Sequence, residues 1–121
     1  MLIGTWMTPV INGALVLPAP FRPAVAAGVT ITRSLAGCLQ VFPTAGWQQL
    51  AQQVSALPLT LSAARTLRRV LFSAATPLAP SPEGLIQLPA TLLARAAIMA
   101  EATLVGMGSY FEIWAPARWQ V

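Results

Sequence analysis

Seven arginines, three glutamates and one cysteine carry nearly all the ionisable chemistry of this chain of 121 residues. The arginines are Arg22, Arg33, Arg65, Arg68, Arg69, Arg95 and Arg118, and the acids are Glu83, Glu101 and Glu112. Lysine, histidine and aspartate do not occur. Without His or Asp there is no Ser-His-Asp triad, no Cys-His pair and no histidine metal site. Cys38 has no second cysteine to join in a disulfide or a thiolate cluster, and nothing basic beside it in sequence activates it. Glu112 lies alone between apolar neighbours, with no second carboxylate for acid–base work. The residues therefore describe a non-enzyme that needs no cofactor and no metal. What remains is charge recognition, in which guanidinium groups donate to phosphate or carboxylate oxygens.

Those charges are held by elements that are overwhelmingly apolar. Hydrophobic residues make up 56% of the chain and charged ones 8%, with a net charge of +4. The charge-free stretches could suggest a membrane span, but Pro9, Pro18 and Pro20 interrupt the first, and Pro43, Gly46, Pro58 and the glutamines Gln48, Gln49, Gln52 and Gln53 interrupt the second. A spanning helix needs about 20 mostly apolar residues without such breaks. No positive segment precedes an apolar core either, which argues against a secretory signal. Burial between subunits accounts better for this much apolar surface, because so small a monomer lacks the interior to hide it.

Two stretches of sequence repeat in order. Asn12-Gly13-Ala14-Leu15-Val16-Leu17-Pro18-Ala19 parallels Glu83-Gly84-Leu85-Ile86-Gln87-Leu88-Pro89-Ala90 at a spacing of 71. Further on, Cys38-Leu39-Gln40-Val41-Phe42 parallels Tyr110-Phe111-Glu112-Ile113-Trp114 at a spacing of 72, and each copy reaches a tryptophan five residues later, Trp47 and Trp119. Asn12-Gly13 suits a tight hairpin turn, since both central positions accept positive φ. Leu15–Leu17, Leu85–Leu88, Val29–Thr32, Ala102–Val105, Leu39–Phe42 and Phe111–Trp114 read as short strands, several alternating apolar with polar residues. Leu15, Leu17, Leu39, Val41, Ile86, Leu88, Phe111 and Ile113 should face one shared core, with the two units related by a pseudo-two-fold axis. Trp6, Trp47, Trp114 and Trp119 fall within these patterns, which favours packing over base stacking.

Between the repeats the period changes to that of a helix. Trp47, Leu50, Ala51, Val54 and Leu57 fall on one face, with Thr44 near the N-cap and Pro58 ending the run. A second helix should start at Thr60, burying Ala63, Leu67, Val70, Leu71 and Ala74 and presenting Arg65, Arg68 and Arg69 on its other face. That basic stripe reads either as a solvated helix face or as a patch for phosphate or an acidic partner. The expected organisation is a first unit over residues 5–48, a helical middle over 49–75 and a second unit over 76–119, in an α+β fold.

Several of these residues together resemble one known family. Gly4-Thr5, Leu17-Pro18 with Phe21-Arg22, Val41-Phe42-Pro43 with Trp47, Ala56-Leu57-Pro58-Leu59-Thr60, Ala63-Ala64-Arg65, and Leu104-Val105-Gly106 with Phe111-Glu112-Ile113-Trp114 are similar to MraZ, a bacterial family with two tandem AbrB-like units. The resemblance covers nearly the whole chain. It implies a swapped-hairpin β fold with helices, a ring-shaped homo-oligomer, and a DNA-binding regulator of the division and cell-wall gene cluster. It also implies a cytoplasmic, nucleoid-associated location with no membrane.

The resemblance has a conspicuous gap. Each unit of the family carries Asp-x-x-x-Arg before its Leu-x-Leu-Pro-like strand, and those arginines are associated with DNA. Here Val10 and Ala14 occupy the Asp and Arg positions of the first motif, and Ser81 and Leu85 those of the second. Alanine and leucine supply neither phosphate attraction nor guanine recognition. Double-stranded DNA would then have to be met by Arg22 and Arg33, where the family often has arginine, and by Arg65, Arg68 and Arg69. Arg22 also reads as a surface charge beside a turn, and Arg33 as an edge-strand charge that blocks aggregation. A diverged structural or interaction subunit, keeping the oligomeric fold without specific DNA binding, is the second reading.

Overall fold

The computed structural model describes residues 1–119. Its first half runs through strands β1 (Thr5–Pro9) and β2 (Ala14–Val16), a 3-10 turn (Ala19–Phe21) leading into helix α1 (Arg22–Val25), and strands β3 (Val29–Arg33) and β4 (Leu39–Pro43). Helices α2 (Thr44–Ser55) and α3 (Ser62–Ser73) follow. The second half repeats the order with β5 (Thr76–Leu78), β6 (Leu85–Gln87), α4 (Ala90–Arg95), β7 (Glu101–Gly106) and β8 (Phe111–Trp114). The fold is α+β, built from a tandem repeat with two helices between the copies.

Strand pairing turns that repeat into a symmetric body. A six-stranded sheet has the order β1-β7-β8-β4-β3-β5, and β2 and β6 form a separate two-stranded ribbon. The sheet order reads the same from both ends once β1 is matched with β5, β3 with β7 and β4 with β8. Each outer strand has changed sides: β1 of the first half pairs with β7 of the second, and β5 of the second pairs with β3 of the first. The pairing registers locate the pseudo-two-fold axis. In the ribbon Leu15 faces its own counterpart Ile86, flanked by Ala14 opposite Gln87 and Val16 opposite Leu85. At the centre of the sheet Gln40 likewise faces its counterpart Glu112, flanked by Leu39 opposite Ile113 and Val41 opposite Phe111.

One core lies between ribbon and sheet. All eight side chains expected to share it are buried in a single cluster, joined by Phe21, Val25, Leu92 and Leu104. The ring of Phe21 lies 4.8 Å from that of Trp6 and 5.1 Å from that of Phe111. Each such side chain taken from water contributes about 1.5–3 kcal/mol. The Asn12-Gly13 turn forms as its sequence requires, with φ of 52° and 78° and reciprocal backbone hydrogen bonds between Ile11 and Ala14. β1 and β5 were not legible as strands because each contains proline, at Pro9 and Pro77. Both are the outermost strands, where proline's missing donor costs least.

The helices depart in detail from their sequence pattern. Thr44 is the first residue of α2 rather than its cap, a place taken by Pro43, and Leu57 lies past the helix end, exposed. α3 begins at Ser62, two residues beyond Thr60, and buries Ala64 and Leu71, while Ala63 is exposed. Leu71 is buried as its spacing requires and Leu67, Val70 and Ala74 are half-buried, so the face shifts only at its first turn; Arg68 lies at its margin, partly covered. Near the helix end, where carbonyls lack intrahelical partners, the buried Thr32 hydroxyl donates to the Leu71 carbonyl at 2.5 Å. That bond ties α3 to β3.

Candidate nucleic-acid interface

The four positions of the Asp-x-x-x-Arg pattern all lie on or beside the β2–β6 ribbon. Along each ribbon strand the middle residue, Leu15 or Ile86, points into the core, and its neighbours point out. Ala14 and Leu85 are thus related by the pseudo-dyad and share the outer face, with Leu85 48% exposed. Around them Thr8, Pro9, Ile11, Leu15 and Val16 complete a shallow, mainly apolar cavity of about 330 Å³. No cation lines it.

The two Asp positions have met different fates. Ser81 lies in the turn before β6, and its hydroxyl oxygen accepts the backbone N–H of Leu85 at 3.0 Å. An aspartate carboxylate there would accept the same N–H, so serine retains the turn-forming role without the charge. Val10 has no such oxygen. Its backbone N–H donates to the Ala100 carbonyl at 2.9 Å, and its side chain packs against the core. Asn12-Gly13 closes that turn instead.

The five arginines proposed from sequence do not converge on one surface feature. Arg22 stands beside the ribbon, where its Nε donates to the Leu17 carbonyl at 3.3 Å. Its stem lies across Gly84, at which a Cβ would come within 2.6 Å of Nε and which has a φ of 85°, so any other residue there would strain the backbone and displace the arginine. It borders a cavity of about 240 Å³ with Val25, Ala26, Pro80, Ser81 and Pro82. Arg65 and Arg68 are turned inward to the connection between α2 and α3. Arg65 donates to the Leu59 carbonyl at 2.6 Å, and Arg68 to the carbonyl of Ser55, the last residue of α2, at 2.5 Å. A cation at a helix C-terminus is favourably placed against the helix dipole. Arg69 alone of the stripe is exposed. The stripe is therefore largely a clasp between two helices, which helical spacing by itself could not reveal.

Arg33 ends β3 and is partly buried, with its Nε enclosed and lacking a hydrogen-bond partner. It borders two cavities, of about 230 and 370 Å³, and Arg95 borders both with it. Sequence reasoning passed over Arg95 and Arg118. Arg95 has no counterpart in a recognisable motif, and Arg118 reaches the site only through tertiary structure, donating to the Gly37 and Arg95 carbonyls at 3.0 and 3.2 Å.

Several other groups that could do chemistry are held by structural partners. Cys38 is buried, and burial pushes its thiol from 9.0 up to about 11, while its sulfur lies 3.1 Å from the Ser34 hydroxyl. A thiol so placed is a poor nucleophile at neutral pH. Glu112, also buried, accepts from the Trp114 indole at 3.0 Å. The tryptophans pack against other rings: Trp47 lies 5.7 Å from Phe42 and 5.9 Å from Phe72, and Trp114 5.7 Å from Trp119. Burial also raises the Tyr110 hydroxyl pKa, and its ring stacks on Phe42 at 4.8 Å. Among the described residues no helix is long and apolar enough to cross a membrane.

Comparison with known proteins follows the same repeat. The family model described as "MraZ protein, putative antitoxin-like" matches twice, over residues 12–70 and 71–121. A protein of Roseiflexus castenholzii named transcriptional regulator MraZ is 43% identical over 109 residues, which is 90% of this chain and 76% of that protein. One from Herpetosiphon aurantiacus with the same name is 41% identical over 109 residues, again 90% of this chain and 76% of the relative. A third, from Salinispora tropica, is 38% identical over 122 residues, covering 99% of this chain and 85% of its own length.

Proposed function

The chain belongs to the MraZ family, and on that premise we propose that it is a transcriptional regulator that binds double-stranded DNA. The observation that carries this reading is the match of nine-tenths of the chain to proteins named as such regulators. The net charge of +4 supports it, since an oligomer multiplies a modest positive field. In this reading a homo-oligomeric ring covers exposed apolar side chains such as Ile3, Leu35, Leu59 and Met99. Its targets are promoters of the division and cell-wall gene cluster.

The DNA contacts of this regulator are sparse. With Ala14 and Leu85 on the ribbon, Arg22 is a cation beside the second motif, sharing a cavity with Ser81, and Arg69 is the exposed arginine of the stripe. Arg65 and Arg68 serve the helix connection first. Each phosphate contact contributes about 0.9 to the log–log salt slope, so binding should be weak, with a shallow slope. Titration of a repeat-containing promoter duplex at two salt concentrations tests this. Saturable binding that weakens modestly with salt supports it, and no binding at low salt refutes it.

The apolar outer face of the ribbon favours a second reading. Ile11, Ala14, Val16 and Leu85 present carbon where a DNA-binding ribbon would present cations. That surface suits a subunit that keeps the oligomeric fold and contacts protein in place of a specific operator.

A further inference from the structure

Arg33 and Arg95 come from opposite halves of the chain, at the end of β3 and of α4, and together border two cavities. Both border the cavity shared with Ser34, Gly37 and Cys38, and both border the one shared with Ser73, Thr76 and Thr91. Arg118 brings a third guanidinium to the rim through its bond to the Arg95 carbonyl. Among the described residues neither lining includes a carboxylate. The carboxylate nearest in effect is Glu112, which acts on Cys38 but is buried and accepts from the Trp114 indole. Gathering like charges around a cleft costs energy unless an anion lies among them. The unpartnered Nε of Arg33 adds to that cost.

From this arrangement we infer that the Arg33–Arg95 cleft is an anion-binding site for a phosphate-type oxyanion. Donor supply matches this chemistry. Ser34, Ser73 and Thr76 already give their protons to the carbonyls of Cys38, Arg69 and Ala74. Arg33, Arg95 and Thr91, which line the larger cavity, are the donors that would serve a ligand there. A tetrahedral phosphate offers enough oxygens to engage two forks and a hydroxyl together, and arginine forks match it in geometry. Cavities of 230 and 370 Å³ hold such a group with its remaining water. The phosphate can belong to a DNA backbone or to a free phosphorylated small molecule. The site therefore does not depend on the DNA-binding reading.

The test titrates the full chain with inorganic phosphate against sodium chloride of equal ionic strength, following melting temperature and heat of binding. The parent protein should melt higher in phosphate. Arg95→Gln, at an exposed position, and Arg33→Gln, checked for folding, should each weaken phosphate binding about tenfold or more, as loss of a charged hydrogen bond predicts. A short DNA duplex then separates the sources. If duplex binding falls in the same variants and phosphate displaces the duplex, the backbone is the ligand. If duplex binding is unchanged while phosphate binding falls, the ligand is a free phosphorylated molecule. Phosphate binding no better than matched chloride, or equally tight in the folded Arg95→Gln variant, overturns the site.

Discussion

Restoring arginine at both ribbon positions, Ala14→Arg with Leu85→Arg, asks whether this surface faces DNA. The two sites are related by the pseudo-dyad and point away from the core, so both new guanidiniums would project on the same side of the ribbon. Leu85 is 48% exposed and is not part of the buried cluster, so the leucine can be given up. Losing its covered half costs about 1 kcal/mol of burial, partly recovered by the arginine stem lying along the neighbouring apolar surface. Two added phosphate contacts per subunit would steepen the log–log salt slope by about 1.8, so a fourfold rise in salt would weaken the variant's binding by about twelvefold more than the parent's. Fluorescence anisotropy of a promoter duplex at several salt concentrations measures that slope, and a thermal melt confirms the fold. A folded double variant with the parent's affinity and slope would refute the assignment of this ribbon to DNA.

Three further perturbations probe the scaffold. Thr32→Val removes the donor to the Leu71 carbonyl and should lower stability by about 1–2 kcal/mol in urea unfolding, with a matching loss of protection in α3 on hydrogen exchange; unchanged values would mean the bond contributes nothing. Gly106→Ala places a Cβ about 2.5 Å from the Ile3 backbone, so it should destabilise the fold by at least the 1–3 kcal/mol typical of overpacking, roughly. A melting temperature equal to the parent's would contradict that close approach. Cys38 should resist iodoacetamide at pH 8 in the folded protein and react after unfolding, because burial holds its proton. Its folded pKa lies above the unfolded value, so the stability it contributes is intact below about pH 9 and lost as pH rises toward 11; a melt that gains stability over that range would reverse the sign.

The repeat, the turn and the core were legible in the chain because they depend on local periodicity. Asn12-Gly13 specifies its turn through backbone dihedrals alone. Strict alternation around Leu15 and Ile86 decides which side chains turn inward, whatever the strand pairs with. The identity of Ala14 and Leu85 also sets the absence of guanidinium groups on the ribbon, which no packing can restore. Tertiary structure decided the rest, through contacts between residues far apart in sequence. The exchange of β1 and β5 between halves depends on which edge each strand reaches, and their prolines hid them until those edges were known. Helical spacing placed Arg65 and Arg68 on one face, but only the return of α3 past the end of α2 supplied the carbonyls that occupy them. Arg33 and Arg95 belong to no common motif. They border the same cavities because the pairing of the two halves brings the end of a strand from one beside the end of a helix from the other.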